Sequence, residues 1–406
     1  MDAQTFDAIV IGARCAGSPT AMLLARAGCR ILLVDRSEFP SDTLSTHMIH
    51  PPGVRHLQRW GLLDRLVATG CPPIERYLFD FGPFTLSGRP LPVEDVDTAF
   101  GPRRTVLDKL LLDAASEAGA EVREGFVVEE LLFENGVVGG IRGHARNGRT
   151  VIERARIVIG ADGRYSMVAK AVRPEQYQER PPLQAGYYTY WRDLPVEGFE
   201  IYARHFRGWG AIPTHDGLTL VVVGWPYAEF EANKHDPEAA YLRSLELAPA
   251  FAERVRSARR EAPFRGGFVT SYFRKPFGPG WALVGDAGYN KDPVTAWGIS
   301  DAFRDAELLA KAVADWLQGR RAFDDVMAQY QRERDEDTTP MFELTCNFAT
   351  LAPAPPEVAQ VLGAASASKE GQRQFVSMMA GTLPVQAFFA PENVQRLLSG
   401  GAGAAT

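Results

Sequence analysis

The chain has 406 residues, of which 46% are hydrophobic and 23% charged, with a formal net charge of −6 at pH 7. That length allows two or three globular domains around a large core. The negative balance argues against a nucleic-acid surface, which needs a basic stripe, and no run of about 20 apolar residues is present to span a membrane.

Residues 8–11, Ala-Ile-Val-Ile, form an apolar run too short for a helix and bounded by glycine, the pattern of a buried parallel strand. Gly12 allows a tight turn, residues 16–27 read as a helix with Gly28 at its C-terminal end, and residues 31–34 form a second strand ending on Asp35. An acid 23 residues after Gly12 completes the layout of a dinucleotide-binding fingerprint. There a helix N-terminus holds a pyrophosphate and the acid a ribose. The position two residues after Gly12 is Arg14 instead of glycine, and its guanidinium can supply a charge-assisted phosphate contact. The first residues carry acids and pass directly into the strand, with no basic region or cleavage site of a signal peptide. Cys15, Cys29, Cys71 and Cys346 have no metal-like spacing and read as reduced thiols of a cytoplasmic protein.

A loop holding His47 and His50 ends at a Pro-Pro stop, and residues 53–66 read as one helix. Residues 77–92 form a hairpin with glycine turns, and residues 104–118 a second long helix ending at Gly119. Segments 121–127, 131–142 and 150–159 look like a meander that closes on Gly160-Ala-Asp-Gly163. Residues 184–268 are β-rich and aromatic with one helix near 237–258, the texture of a separate antiparallel sheet. Strand 281–284 opens onto Gly285-Asp286, and a helix follows over 298–319. Helices near 324–334 and 340–348 lead into a tail rich in Ala, Pro and Gly, whose last six residues read as disordered.

Three glycine–acid stations therefore lie far apart: Gly12, Gly17 and Asp35; Asp162-Gly163; and Gly285-Asp286. Each ends an apolar strand, where a doubly wound sheet receives ligands. In this ordered set, over roughly residues 5–320, the chain resembles the group A FAD-dependent monooxygenases of the aromatic hydroxylase type. Wider relatives of that superfamily are flavin-dependent halogenases and geranylgeranyl reductases. The resemblance implies an α/β fold: a Rossmann-like FAD-binding domain of the para-hydroxybenzoate hydroxylase kind, an antiparallel β-sheet substrate domain, and C-terminal helices. The FAD-binding domain is expected over 1–71, 101–170 and 268–335, the substrate domain over 72–100 and 171–267, and a helical segment with a disordered end over 336–406.

By position, the resemblance gives Gly12, Arg14, Ala16 and Gly17 to the FAD pyrophosphate and Asp35 to the adenosine ribose, with Arg36 beside it among the cofactor contacts. It gives Arg104 to the flavin side, Asp162 and Gly163 to FAD and pyridine-nucleotide contacts, and Gly285 with Asp286 to the ribityl chain. Pro293, Gly298 and Ile299 match the segment beside the isoalloxazine ring, where the N-terminus of the following helix stabilises a reduced, anionic flavin. The Asp-Gly pattern usually ends in an arginine three residues after its serine, and here that position is Ala169.

Halogenases of the superfamily use a lysine in the first quarter of the chain, and no lysine precedes Lys109. Their Trp-x-Trp-x-Ile-Pro run is not met, since Gly208-Trp-Gly-Ala-Ile-Pro213 has glycine at both Trp positions, and the Cys-Gly pair of the reductases is missing. The expected activity is monooxygenation of an apolar or aromatic, natural-product-type molecule by one atom of O₂, through a flavin C4a-hydroperoxide, with FAD as cofactor. NAD(P)H is the expected electron donor, binding transiently since only one Rossmann fingerprint exists, unless a flavin reductase supplies the electrons. A reductase-like or other FAD-dependent oxidoreductase, or a non-catalytic flavin-binding protein, is the alternative. His47 is the candidate acid–base group and Pro293 its companion in the catalytic set. Tyr188, Tyr190, Trp209, Trp225 and Trp297 are the candidate aromatic lining of a substrate pocket, with no metal expected.

Overall fold

A computed structural model describes residues 5–400. Its first sheet has the strands Glu121–Arg123, Ile31–Val34, Phe6–Ile11, Thr150–Gly160 and Trp281–Leu283 side by side and parallel, with Phe277–Gly278 antiparallel at one edge. Within it the runs 8–11, 31–34, 157–159 and 281–283 are buried on both faces, so they read as continuous hydrophobic stretches. Register then decides the geometry of everything downstream. Ile11 pairs with Val34 on one side and Gly160 on the other, and Gly160 pairs with Leu283. Four strand ends from distant parts of the chain are thereby level, and the turns after them leave from one edge. The helices Gly17–Arg26, Arg104–Glu117 and Gly298–Leu317 pack on the same side of this sheet and share one core with it.

The second sheet runs in the order Arg259–Arg260, Gln184–Arg192, Leu218–Pro226, Arg207–Pro213, Phe199–Arg204, Tyr77–Asp80, Thr85–Gly88. Its pairings are antiparallel except that Phe199–Arg204 runs parallel to Tyr77–Asp80. Alternation gives it two apolar faces. One packs under the helices Pro237–Leu245 and Pro249–Ser257, and the other faces the C-terminal helices.

Several boundaries differ from the sequence reading. The expected 53–66 helix is two, Pro51–Arg59 and Leu63–Ala68, broken where Gly61 takes φ of 74°. The helix near 237–258 is likewise two, the second opening on Pro249. The meander holds for Val127–Glu134, Val137–His144 and Thr150–Gly160, which pair antiparallel in that order, but Glu121–Arg123 joins the edge of the parallel sheet instead. Conversely, the two helices around Pro340 are one, Phe323–Ala349. That helix is pinned on both sides of the proline, by Arg334 bonding the Gly288 and Arg274 carbonyls and by Thr345 bonding Thr295. Tertiary contacts there outweigh the lost backbone bond. The tail beyond residue 350 folds into the helices Pro356–Ser366, Lys369–Ala380, Val385–Phe388 and Pro391–Gly400, whose apolar faces close on the second sheet. The last six residues, read as disordered, lie outside the described residues.

Candidate active site

The level strand ends build a glycine-lined cradle. Gly12 sits at φ of 103°, where a Cβ would press on the Ala161 carbonyl, and a Cβ on Gly17 would lie on the Gly12 oxygen. Only glycine permits this turn to close against the Gly160–Asp162 strand end. By contrast, a Cβ on Gly163 or Gly298 would meet nothing within 4 Å, so both glycines border open space. Asp35 accepts the Ala13 N–H at Oδ2 and the Ser37 N–H at Oδ1, each at 2.7 Å, which holds its carboxylate at the mouth of the turn with lone pairs left over. Asp162 accepts Met167 N–H at 2.6 Å, while its Oδ1 is buried with no partner in the protein. Burial pushes the Asp286 carboxyl up, and the Arg104 guanidinium pulls it back.

Gly12, Arg14, Ala16, Asp35, Arg36, Arg104, Asp162, Gly163, Gly285, Asp286, Pro293, Gly298 and Ile299 all border one cavity. Gly17 lies behind the turn. A turn that needs glycine, open glycine faces and an orphaned carboxylate oxygen fit a dinucleotide with an extended ring system. The Arg14 expectation needs correcting. Its guanidinium is bound to Asp108 at 2.5 Å and to Ser41 at 2.8 and 3.2 Å. Asp108 also takes a two-point contact from Arg104, both at 3.0 Å. One fully buried carboxylate thus clamps the starts of two helices, and Arg14 braces that clamp where a free phosphate donor had been expected. An acid four residues after Arg104 was visible in the sequence, but its second partner was not.

His47 is fully buried at φ of 63°, and its Nε2 lies 2.5 Å from the Tyr190 hydroxyl. Burial, with Arg104 and Arg103 nearby, holds its pKa well below the usual histidine range. Neither His47 nor Tyr190 borders the cavity, so His47 is a neutral buried partner of Tyr190 where an acid–base group at the flavin was expected. His50 is also buried: its Nε2 donates to the Thr295 carbonyl at 3.1 Å and its Nδ1 accepts from Tyr77 at 3.0 Å. With burial holding its pKa at about 4, it stays neutral and fixes the segment after Pro293.

The cavity measures about 1730 Å³, beyond the 300–1,000 Å³ typical of one drug-sized ligand. It continues from the cradle to a row of cross-strand neighbours on the second sheet: Tyr188, Val222, Gly210, Ile201 and Phe79. Phe375, Met378 and Leu362 of the C-terminal helices face that row. The period of two sends the neighbouring residues to the other face, which corrects the aromatic lining. Trp225 is fully buried against Tyr187 under the 237–257 helices. The Trp209 ring is on that same side, stacked 5.2 Å from Tyr202, although part of the residue reaches the cavity wall. Trp297 stacks on His50 at 4.9 Å and donates to the Met379 carbonyl, behind the wall. Of the five aromatics named from sequence, Tyr188 alone lies in the cavity-facing row.

Where the second sheet meets the loop before the Gly298–Leu317 helix, Gln184 donates to Asp292 Oδ1 at 2.5 Å, and Val294 N–H donates to the same oxygen at 2.9 Å. Burial pushes this carboxyl up to about 7. Beside it, Lys291 is ion-paired with Asp301 and donates to the Tyr289 hydroxyl at 2.9 Å. Gln184, Lys291 and Asp292 were not singled out from sequence, because only folding brings residue 184 against residue 292. No group of three or more His, Cys, Asp or Glu among the described residues is placed to hold a metal, and none of their helices is long and apolar enough to cross a membrane.

Residues 5–344 match the FAD binding domain family. Digeranylgeranylglycerophospholipid reductase 2 of Methanopyrus kandleri is 26% identical over 345 residues, covering 82% of this chain and 83% of its own. The 6-methylpretetramide 4-monooxygenase of Streptomyces rimosus is 27% identical over 363 residues, covering 83% of each. In three dimensions the chain is similar to the myxobacterial chondrochloren halogenase CndH, with a TM-score of 0.80 at 24% identity over 98% of this chain and 97% of that one. With the three stations level on one cradle and the match running over most of its length, the chain belongs to the FAD binding domain family, within the group A flavoproteins.

Proposed function

We propose that the protein is an FAD-dependent monooxygenase that transfers one oxygen atom of O₂ to an apolar or aromatic small molecule, with NAD(P)H as electron donor. The observation that carries this reading is the single cavity that joins the nucleotide cradle to an enclosed apolar wall of the second sheet. Bound FAD supplies the redox chemistry and the activation of O₂. The chain supplies position and charge. Asp35, the turn at Gly12 and Asp286 hold the nucleotide and ribityl portions, and Arg104, clamped by Asp108, sets positive charge beside Asp286. The first-turn N–H groups of Gly298–Leu317 point the positive end of a 20-residue helix at the cavity, where they would stabilise negative charge on a bound flavin. Phe79, Ile201 and Val222 with the C-terminal helices exclude water from the substrate's side. Among the described residues the one lysine in the cavity wall, Lys291, is occupied by Asp301 and Tyr289, which weighs against an amine-carried halogen.

The test is NAD(P)H-driven O₂ consumption by the FAD-loaded protein against phenols and polycyclic aromatics, with mass analysis of the products. A product heavier by one oxygen supports the reading. A brominated or chlorinated product, a reduced alkene, or no substrate-stimulated turnover refutes it.

A further inference from the structure

Once His47 is found behind the wall, the cavity has no histidine acid–base group at the place where a substrate would meet the flavin-side loop. What stands there is Asp292. It comes from the loop that runs on into Pro293 and Gly298, and it is fastened to Gln184, two residues along from Gly186 on the strand that carries Tyr188. Both of its hydrogen bonds fall on Oδ1. Oδ2 has no partner among the described residues, and the residue forms part of the cavity wall although its exposure is only 3%. Unlike the sealed Asp162 Oδ1, this oxygen is not closed off by the protein, so it is free to exchange a proton with a ligand in the cavity.

The charges around it leave that exchange open. Lys291, its chain neighbour, is turned to Asp301 and Tyr289, and Asp301 is shared with Arg304. From the Phe323–Ala349 helix, Glu343 is paired with Arg180 and Cys346 is a buried thiol pushed up to about 11. From the strand Ser271–Arg274, Ser271 Oγ accepts the Asp292 N–H at 3.1 Å. None of these neutralises Asp292, and burial holds its carboxyl near 7, where it can both take and return a proton at neutral pH.

We propose that Asp292 is the general base of the site, acting on an acidic substrate hydroxyl. This rests on the monooxygenase reading and names its acid–base residue. In the step, the substrate O–H bond breaks and a new O–H bond forms on Asp292 Oδ2, while the bonding pair stays on the substrate oxygen. The substrate is thereby made electron-rich toward an electrophilic oxygen, with no oxidant or reductant used in the transfer itself. Gln184 is a positioning residue that holds Oδ1 so that Oδ2 faces the cavity.

The test uses 4-nitrophenol binding to the FAD-loaded holoenzyme, followed by its phenolate absorbance and by proton uptake in buffers of different ionisation enthalpy. In wild type the Asp292–phenol pair holds one proton between them, so affinity falls about tenfold per pH unit once both are ionised, and binding there takes up a proton. Asp292→Asn should bind the phenolate with no such fall and no uptake. Gln184→Ala, which loses a donor to the ionised form, should move the onset to higher pH. Equal pH dependence in wild type and Asp292→Asn, no binding of the probe by wild type, or proton uptake that accompanies FAD loading in place of phenol binding would overturn the assignment. The oxygen-transfer assay above uses product mass, so it stands or falls separately.

Discussion

Replacing Asp292 by Asn should make the protein more stable, and increasingly so as pH rises. The carboxyl is buried and protonated in the folded state up to about pH 7, against 3.8 in the unfolded chain. Between those values the folded protein binds a proton that the unfolded chain has released, so stability falls as pH rises through this window and is level on either side. Three decades of proton affinity at about 1.36 kcal/mol each come to about 4 kcal/mol. Asn keeps the size and can still accept from Gln184 and Val294 but has no proton to lose. The variant's advantage should therefore be roughly 1.5 kcal/mol near pH 5 and about 4 kcal/mol near pH 8.5. At about 2.1 cal/mol/K of unfolding entropy per residue, a cooperative transition of all 406 residues would turn the larger figure into a rise in Tm of about 5 °C. Urea unfolding and calorimetry of both proteins across that pH range would show it. A stability difference that does not change with pH would refute the argument, since any fixed packing effect of Asn cancels from the slope.

Asp108→Ala leaves two guanidiniums, Arg14 and Arg104, without their shared buried carboxylate. It should cost about 3–5 kcal/mol in urea unfolding and release FAD in equilibrium dialysis. Gly298→Ala places a methyl in open space at the helix start that borders the cavity, so fluorescence titration should show FAD affinity falling at least about tenfold, with apo stability unchanged or raised by no more than about 1 kcal/mol. Trp225→Ala, on the far face of the second sheet, should lose about 3–5 kcal/mol and leave KM unaltered, whereas Tyr188→Ala should raise KM. His47 is already neutral below its usual titration range, so a His47→Asn variant, which suits the positive φ, should keep the wild-type pH dependence of kcat.

The amino-acid order by itself determined the cofactor half. An apolar run, a glycine turn and an acid form a local unit whose geometry follows from backbone sterics and a helix dipole, so Gly12, Gly17 and Asp35 were legible, and the repeated glycine–acid pattern named Asp162 and Asp286. Helix breaks at Gly61 and Pro249 were harder, because propensity is weak beside packing, and the continuity of Phe323–Ala349 through Pro340 came from contacts no local pattern encodes. Only the tertiary structure decided the chemistry on the substrate side. A strand's alternation says that half its aromatics share a face but not which face looks inward, so Trp225 went to the helices and Tyr188 to the cavity. Likewise His47 and Asp292 are both plain titratable residues in sequence. Burial, and the accident of what lies opposite, tied one to Tyr190 and left the other an oxygen open to a ligand, since desolvation and hydrogen-bond partners belong to the folded environment and not to the residue.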